Sequence, residues 1–337
     1  MTLGVLLILA LVLFGPLLLA VIEHNLELFF FVCGIAAALV SGRLTLELAE
    51  HAAREPIPIT LAAAAFGAAV HLARPALERL FTRLSTSPHL GRVCAGVIVV
   101  LGFLSSAITA VVAALILAEA LALLRLERKS AVRVAVLGCF AIGMGAALTP
   151  LGEPLSTIAI GALNADFWYL ARLIGPYVAV GIAAVGALSL LFPVAAGGAS
   201  GTADAADGWG AIALRAVRLY LFVAGLVGLS AAAQPLVDAY LVKLPDAALF
   251  WLNSVAALVD NATLAAAEIG PGLNPAQQRN LLMGLLLAGG MLIPGNLPNI
   301  IAAARLGISG REWARVGLAV GLPLMALCFA ALYLLAP

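Results

Sequence analysis

The feature that most restricts this chain is a Pro-x-x-x-Pro pair that occurs twice, each time inside an apolar segment long enough to lie in a bilayer. The first is Pro150-Leu151-Gly152-Glu153-Pro154 and the second is Pro294-Gly295-Asn296-Leu297-Pro298. Gly143-Met144-Gly145 leads into one and Gly289-Gly290-Met291 into the other, and small or polar residues follow, Ser156-Thr157 and Asn299. A helix does not run through such a sequence, because proline lacks the N–H and its ring clashes with the preceding turn. In lipid a broken helix survives only where protein or a water-filled cavity takes up the freed backbone groups. Paired breaks at corresponding positions of two halves point to the binding site of a secondary transporter.

Hydrophobic residues make up 64% of the chain and charged residues 10%, with a mean hydropathy of +1.13; a soluble domain carries about 25% charged residues. The chain therefore reads as an all-α polytopic membrane protein. A net charge of +1 without a long basic run argues against nucleic acid as a partner. Cys33, Cys94, Cys139 and Cys328 stand singly in apolar stretches, which suits small buried side chains rather than a disulfide framework or a zinc site. Residues 3–22 lack a basic n-region and are long enough to span, so they read as a first transmembrane helix rather than a signal peptide. The expected setting is multi-pass in the cell inner membrane, with membrane lipid and small inorganic ions as partners and no cofactor.

At roughly 20 apolar residues per crossing, about eight spans fall at 3–22, 26–41, 57–73, 134–161, 173–193, 211–232, 279–303 and 315–335. Two apolar stretches remain, 93–124 and 247–270. Arg74, Arg79, Arg83 and Arg92 flank the first on one side and Arg125, Arg128, Lys129 and Arg133 on the other. If both flanks are cytoplasmic by the positive-inside rule, the stretch enters and leaves on one face as a re-entrant hairpin with its tip at 105–109. Alternation then puts Arg215, Arg218, Arg305, Arg311 and Arg315 inside too, and of the 18 basic residues only Arg43, Arg54, Arg172, Lys243 and Arg279 fall outside. The second hairpin opens outward. The expected organisation is an N-terminal repeat over 1–196 with two extra helices and the inward hairpin 93–124, a linker over 197–210, and an inverted C-terminal repeat over 211–337 with the outward hairpin 247–270. Residues 43–56 read as a surface amphipathic helix.

Polar groups at these tips and breaks carry the chemistry. Asp260, Asn261 and Thr263 lie at the second tip and Ser105, Ser106 and Thr109 at the first. The first break offers Thr149, Gly152, Glu153, Ser156 and Thr157, and the second Gly295, Asn296 and Asn299. A dehydrated hard cation takes its oxygens from unwound carbonyls and short polar side chains of this kind. A carboxylate at membrane depth is costly, about 2.5 to 3.5 kcal/mol on insertion scales. No arginine or lysine lies inside either hairpin or either break to offset Asp260 or Glu153. One reading makes each a neutral, hydrogen-bonded cap of freed N–H groups; the sharper one makes Asp260 first and Glu153 second the groups that exchange a proton for a metal ion. Two readings also stand for Ser105 and Ser106: ion ligands, or mid-helix hydroxyls bonding back to a carbonyl one turn earlier. Glu119 and Glu268 occupy the outgoing hairpin arms, either coupling or reaching interfacial water. Glu23, His24 and Glu27 are most simply solvated in a turn.

At these residues a resemblance becomes specific. Asp260-Asn261 is similar to the aspartate-asparagine hairpin of NhaD-type sodium/proton antiporters and arsenite permeases. Ser105-Ser106-Ala107-Ile108-Thr109 resembles the Ser-Asn-Thr hairpin of divalent anion/sodium symporters, with Ile108-Thr109 where an asparagine is expected. The breaks 149–154 and 294–299 resemble those families' broken helices. All belong to the ion transporter superfamily, and the nearest resemblance is to its branch of predicted cation transporters. The resemblance implies an elevator-like transporter, a homodimer with a scaffold and a transport domain, and a sodium site that includes Asp260 and Asn261.

A sodium (cation)/proton antiporter is the expected function. A sodium-coupled organic anion carrier or an arsenite exporter are the alternatives; the anion carrier is disfavoured by the carboxylates at the breaks. An intramembrane hydrolase is not expected, since HExxH, GxGD and GxSxG patterns are absent from the sequence. The hairpin carries the topology, so single cysteines replacing Arg83 and Lys129 are predicted to react with an impermeant thiol reagent from the same membrane face. Reaction from opposite faces would remove the hairpin and the inverted repeat with it.

Overall fold

Helix is the conformation in which an apolar segment satisfies its own backbone without water. The computed structural model describes residues 2–18, 26–85, 87–197, 209–236, 244–256, 265, 269 and 272–334. In chain order its helices are α1 (Thr2–Leu18), α2 (Leu26–Val40), α3 (Leu46–Arg54), α4 (Pro56–Ser85), α5 (Leu90–Ile108), α6 (Ala110–Leu124), α7 (Arg128–Ala146), α8 (Pro154–Leu163), α9 (Tyr169–Leu190), α10 (Trp209–Leu236), α11 (Asp246–Ala256), α12 (Pro275–Gly289), α13 (Leu297–Leu306) and α14 (Gly310–Phe329). A 3-10 turn, Ile293–Gly295, lies between α12 and α13, and a π-helical turn, Ala330–Leu334, extends α14. Among the described residues the extended pairing is limited to one antiparallel bridge, Leu126 with Ala196.

By length and composition α5, α7, α9, α10 and α14 with its π-helical turn can each cross a membrane, and shorter apolar helices lie within α1, α2, α6, α8 and α13. The expected spans 134–161 and 279–303 are each two helices around a break, α7 with α8 and α12 with α13. The expected hairpin 93–124 is the pair α5 and α6, joined at Thr109, although α5 alone has the length of a span. The expected surface helix is α3: its Thr45 side chain accepts from Leu48 N–H at 3.1 Å, none of its residues is buried, and Glu50 pairs with Arg54 at 2.7 Å. Residues 19–22 of the first span, Glu23 and His24, the linker apart from 197, 209 and 210, and most of 257–271 lie outside the described residues.

Packing sorts the helices into two groups that do not follow the two halves of the sequence. α2, α3 and α4 pack on α10, with α1 against α2, while α5, α6, α9, α12, α13 and α14 all pack on α7. Every residue of α7 from Val134 to Ala146 is buried, as befits a helix apolar on all sides. The groups meet chiefly where α4 packs on α6.

Inside the first group α2 and α10 run parallel and unusually close. A Cβ on Gly34 would come 2.3 Å from Gly225 O, and one on Gly228 would come 2.7 Å from Gly34 O. Phe30 and Phe222 stack beside this contact, ring centroids 4.6 Å apart. Small residues allow this approach, and van der Waals packing drives it, because lipid offers no hydrophobic gain. Gly34→Ala is therefore predicted to lower the thermal midpoint measured by size-exclusion chromatography after heating, at an overpacking cost of about 1 to 3 kcal/mol. Gly96→Ala is the control, since nothing lies within 4 Å of a Cβ there; equal midpoints for Gly34→Ala and the wild type would contradict the close contact.

Candidate functional site

The two breaks have one geometry. α7 ends at Ala147 (φ −71°, ψ −10°) and α12 at Gly290 (φ −75°, ψ −18°). The helices that resume are capped by extended residues, Glu153 (φ −157°, ψ 160°) and Asn296 (φ −158°, ψ 146°). Both resumed helices have 10 residues and end in the left-handed region, at Asn164 (φ 48°) and Gly307 (φ 59°). Glu153 thus corresponds to Asn296 and Ser156 to Asn299. This register is one residue away from that of the proline pairs, in which Pro154 would match Pro298.

Each break answers its own freed carbonyls. In the first, Pro150 O accepts from Thr157 Oγ1 at 2.8 Å, Thr149 O accepts from Gly152 N–H at 3.1 Å, and Ala146 O takes a long 3.4 Å contact from Ser156 Oγ. In the second, Asn299 Nδ2 donates to Gly289 O at 2.7 Å and to Leu292 O at 2.8 Å. Ser156 and Asn299 are equivalent residues, both fully buried, and both reach back to the last residue of the preceding helix. The indole of buried Trp313, on α14, donates to Gly290 O at 3.2 Å. Two carbonyls on one edge of the Asn299 amide fix its orientation, which leaves Oδ1 on the other edge, buried and without a hydrogen-bond donor among the described residues.

The tip of the first hairpin docks on the first break. Ala110 N–H donates to Gly152 O at 2.8 Å and Thr149 Oγ1 donates to Ser106 O at 2.5 Å. Gly102 and Gly145 bring α5 and α7 together, a Cβ on Gly145 falling 1.7 Å from Gly102 O. Ser105 Oγ, buried here, shares its one proton between Gly102 O at 2.7 Å and Ile142 O at 3.0 Å, and Ser106 Oγ donates to Phe103 O at 2.8 Å. Both hydroxyls thus bond back to the preceding turn, and their oxygen lone pairs are not engaged by these bonds. Thr109 adopts φ 74°, ψ 151°, a region costing a β-branched residue of order 1 to 3 kcal/mol. The docking of Ala110 and the cap in which Thr109 Oγ1 accepts from Val112 N–H at 3.3 Å hold it there.

The second break lies on α7 just before the first. Asn296 Nδ2 is 2.6 Å from where a Cβ on Gly143 would stand, Gly290 abuts the Phe140 ring, and Cys139 Sγ donates to Pro298 O at 3.4 Å. Ala147, where the first break begins, is one helical turn beyond Gly143. Each broken helix is also tied at its ends to the other half. Arg128, at the start of α7, donates to Leu306 O at 2.9 Å and Gly307 O at 2.7 Å at the end of α13, and its Nε bonds Glu312 at 2.7 Å near the start of α14. At the opposite end Tyr169 OH, at the start of α9, donates to Gln278 Oε1 near the start of α12, at 2.6 Å. The broken helices therefore run antiparallel. Both outer ends of the α5–α6 pair lie at the Arg128 end: a Cβ on Gly91 would stand 4.0 Å from Val194, and Glu127 N–H donates to Ala195 O at 2.9 Å.

Of the sequence-predicted site residues, Ser105, Ser106, Thr109, Thr149, Gly152, Glu153, Ser156 and Thr157 come together around the first break. Gly295, Asn296 and Asn299 form the second. Asp260, Asn261, Thr263 and Glu268 lie outside the described residues. Glu153 is half-buried, with Oε1 shut off from solvent. Glu119 does not face interfacial water: it is 8% exposed and forms a two-bond pair with Arg305, one bond at 3.0 Å. That pair and the Arg128 clamp were not foreseen, since the partners stand far apart in sequence and only the fold supplies the spacing.

These features define an all-helical membrane protein with two apposed helix breaks of like geometry. Residues 2–335 match the sequence profile of the family described as "Protein of unknown function (DUF1646)", and the chain belongs to that family. No curated protein matches the chain.

Among the described residues the Glu119–Arg305 pair is the most enclosed ion pair, with side chains 11% and 16% exposed. Removing one partner of such a pair costs about 3 to 5 kcal/mol, because a charge is left in a poor medium. Glu119→Gln and Arg305→Gln are each predicted to lower thermal stability strongly, and the double substitution by less than the sum of the two. Additive losses in that double-mutant cycle would show that the pair is not coupled.

Proposed function

We propose that this protein is a secondary active ion transporter, a sodium (cation)/proton antiporter working by an elevator-like movement, multi-pass in the cell inner membrane and homodimeric. The observation that carries the reading is the apposition of two antiparallel broken helices whose breaks share one backbone geometry, with Asn296 against Gly143. Inverted-repeat transporters place substrate and coupling ions at such interrupted helices, where unwound carbonyls and short polar side chains replace water around the ion. The Arg128 contacts at one end and the Tyr169–Gln278 bond at the other support the inversion. The sorting of α1–α4 and α10 away from the helices around α7 supports a scaffold and a moving unit.

Within this reading Asn299 Oδ1 is a neutral ligand of the second break and Glu153 an ionisable one of the first. Asp260, with Asn261, supplies the exchanged charge from the second hairpin tip. A carboxylate there is stabilised either by a proton or by a cation, so occupancy by one excludes the other. Such competition is what antiport requires. A second reading, the sodium-coupled organic anion carrier, is favoured by one feature: the N-termini of α8 and α13 both open into the breaks, and helix N-termini attract anions.

The test is flux in proteoliposomes under an imposed pH gradient, with sodium, other cations, dicarboxylates and arsenite as the panel. Sodium flux coupled to proton counter-flow is expected, lost in Asp260→Asn and shifted in pH profile by Glu153→Gln. Asn296→Ala and Asn261→Ala are expected to weaken the apparent cation affinity while the protein still elutes as a folded species. If both carboxylate substitutions retain full pH-dependent flux, antiport is the wrong mechanism; dicarboxylate uptake without proton counter-flow would favour the second reading.

A further inference from the structure

A cavity of about 230 Å³ lies at the seam between the two helix groups. Glu27 of α2 with Arg218 and Phe222 of α10 line one side, Ile300 of α13 the other, and Ile293 in the second break the inner end. Its exposed lining residues are Arg218, Ala304 and Gly307, the last at the end of α13 where Arg128 binds, so its mouth lies at the Arg128 end of the molecule. Exposure falls inward: Ala304, on the lining, is exposed, whereas Ile293 and Ile300 are each 4% exposed. We propose that this cavity is the aqueous route by which a hydrated inorganic cation passes between the Arg128 end and the second break. The proposal rests on the transporter reading above and adds where its ion travels.

Three features argue for it. The volume accommodates several water molecules, and the mouth is polar enough to keep them. Glu27 and Arg218 on the same wall give a rim of mixed charge, so neither sign dominates and Glu27 offers a cation its first carboxylate. The two walls also belong to different groups. Phe222 is held on the α2–α10 side by stacking on Phe30, while α13 is held to α6 and α7 by Arg305–Glu119 and by Cys139 to Pro298. Any displacement of one group against the other changes this cavity directly.

The experiment uses the full-length protein with Cys33, Cys94 and Cys328 replaced by alanine and Cys139 by serine, which keeps a donor for Pro298 O. It carries Ala304→Cys, in proteoliposomes of determined orientation, after its flux without Ala304→Cys has been matched to wild type. A cationic, membrane-impermeant methanethiosulfonate is added from either side, and labelling and sodium flux are both measured. Labelling from the Arg128 end alone, with loss of flux on labelling, is expected. Ser309→Cys, on the lining and half-exposed, replaces Ala304→Cys if that variant does not fold. No labelling from either side, or labelling that leaves flux intact, overturns the route while the transporter reading stands. Absence of flux in the unlabelled, wild-type protein overturns both, and is distinguished because it precedes any thiol substitution.

Discussion

The structure depends on one constraint: backbone N–H and C=O groups in an apolar medium need partners inside the protein. Two breaks in two buried helices release such groups, and the fold around them follows from where the partners come from. Ala110 must reach Gly152 O, so the first hairpin returns to the first break. Trp313 must reach Gly290 O, so α14 folds back along α12 and α7. Ser156 and Asn299 each close the last turn of the helix before their break, from the same position in each half. The cost of interrupting a helix is offset locally, and Asn299 Oδ1 stays buried without a donor among the described residues.

The second feature is how charge is handled away from the breaks. Arg128 meets two carbonyls and a carboxylate where α13 ends, and Arg305 meets Glu119 across the same region. Both ties join residues of opposite halves, so α6, α7, α13 and the start of α14 form one linked body. α2 and α10 are joined instead by glycine contacts and stacked rings. The seam between the two bodies contains the cavity lined by Glu27, Arg218, Ile300 and Ile293.

Much of this was legible in the sequence where a residue type forces its local conformation. The close pairs Pro150/Pro154 and Pro294/Pro298 announced the breaks, whereas the single prolines Pro75, Pro176 and Pro323 lie inside helices, and a Cβ on Gly152 would stand only 1.9 Å from Ala146 O. Arginine clusters on both flanks put a hairpin tip within 105–109, and α5 and α6 meet there at Thr109. The register between the halves was not legible from the prolines, because backbone geometry pairs Glu153 with Asn296 and leaves Pro154 opposite Leu297. The serines at 105 and 106 could be read as ligands or as helix hydroxyls, and their bonds to Gly102 O and Phe103 O came only from the fold. Glu119–Arg305 and Arg128–Glu312 had no sequence signal at all, because an ion pair depends on distance in space and no motif encodes it.

The central claim is that a cation and a proton compete for the polar groups gathered at the breaks and hairpin tips. The most direct measurement is proton release from the purified protein, followed with a pH indicator in weakly buffered detergent solution, as sodium is added. The account predicts saturable release of protons on sodium addition, diminishing as the starting pH is raised and the exchanging carboxylate is already ionised. Sodium binding, seen by calorimetry in the same preparation, without any proton release at any pH would contradict it.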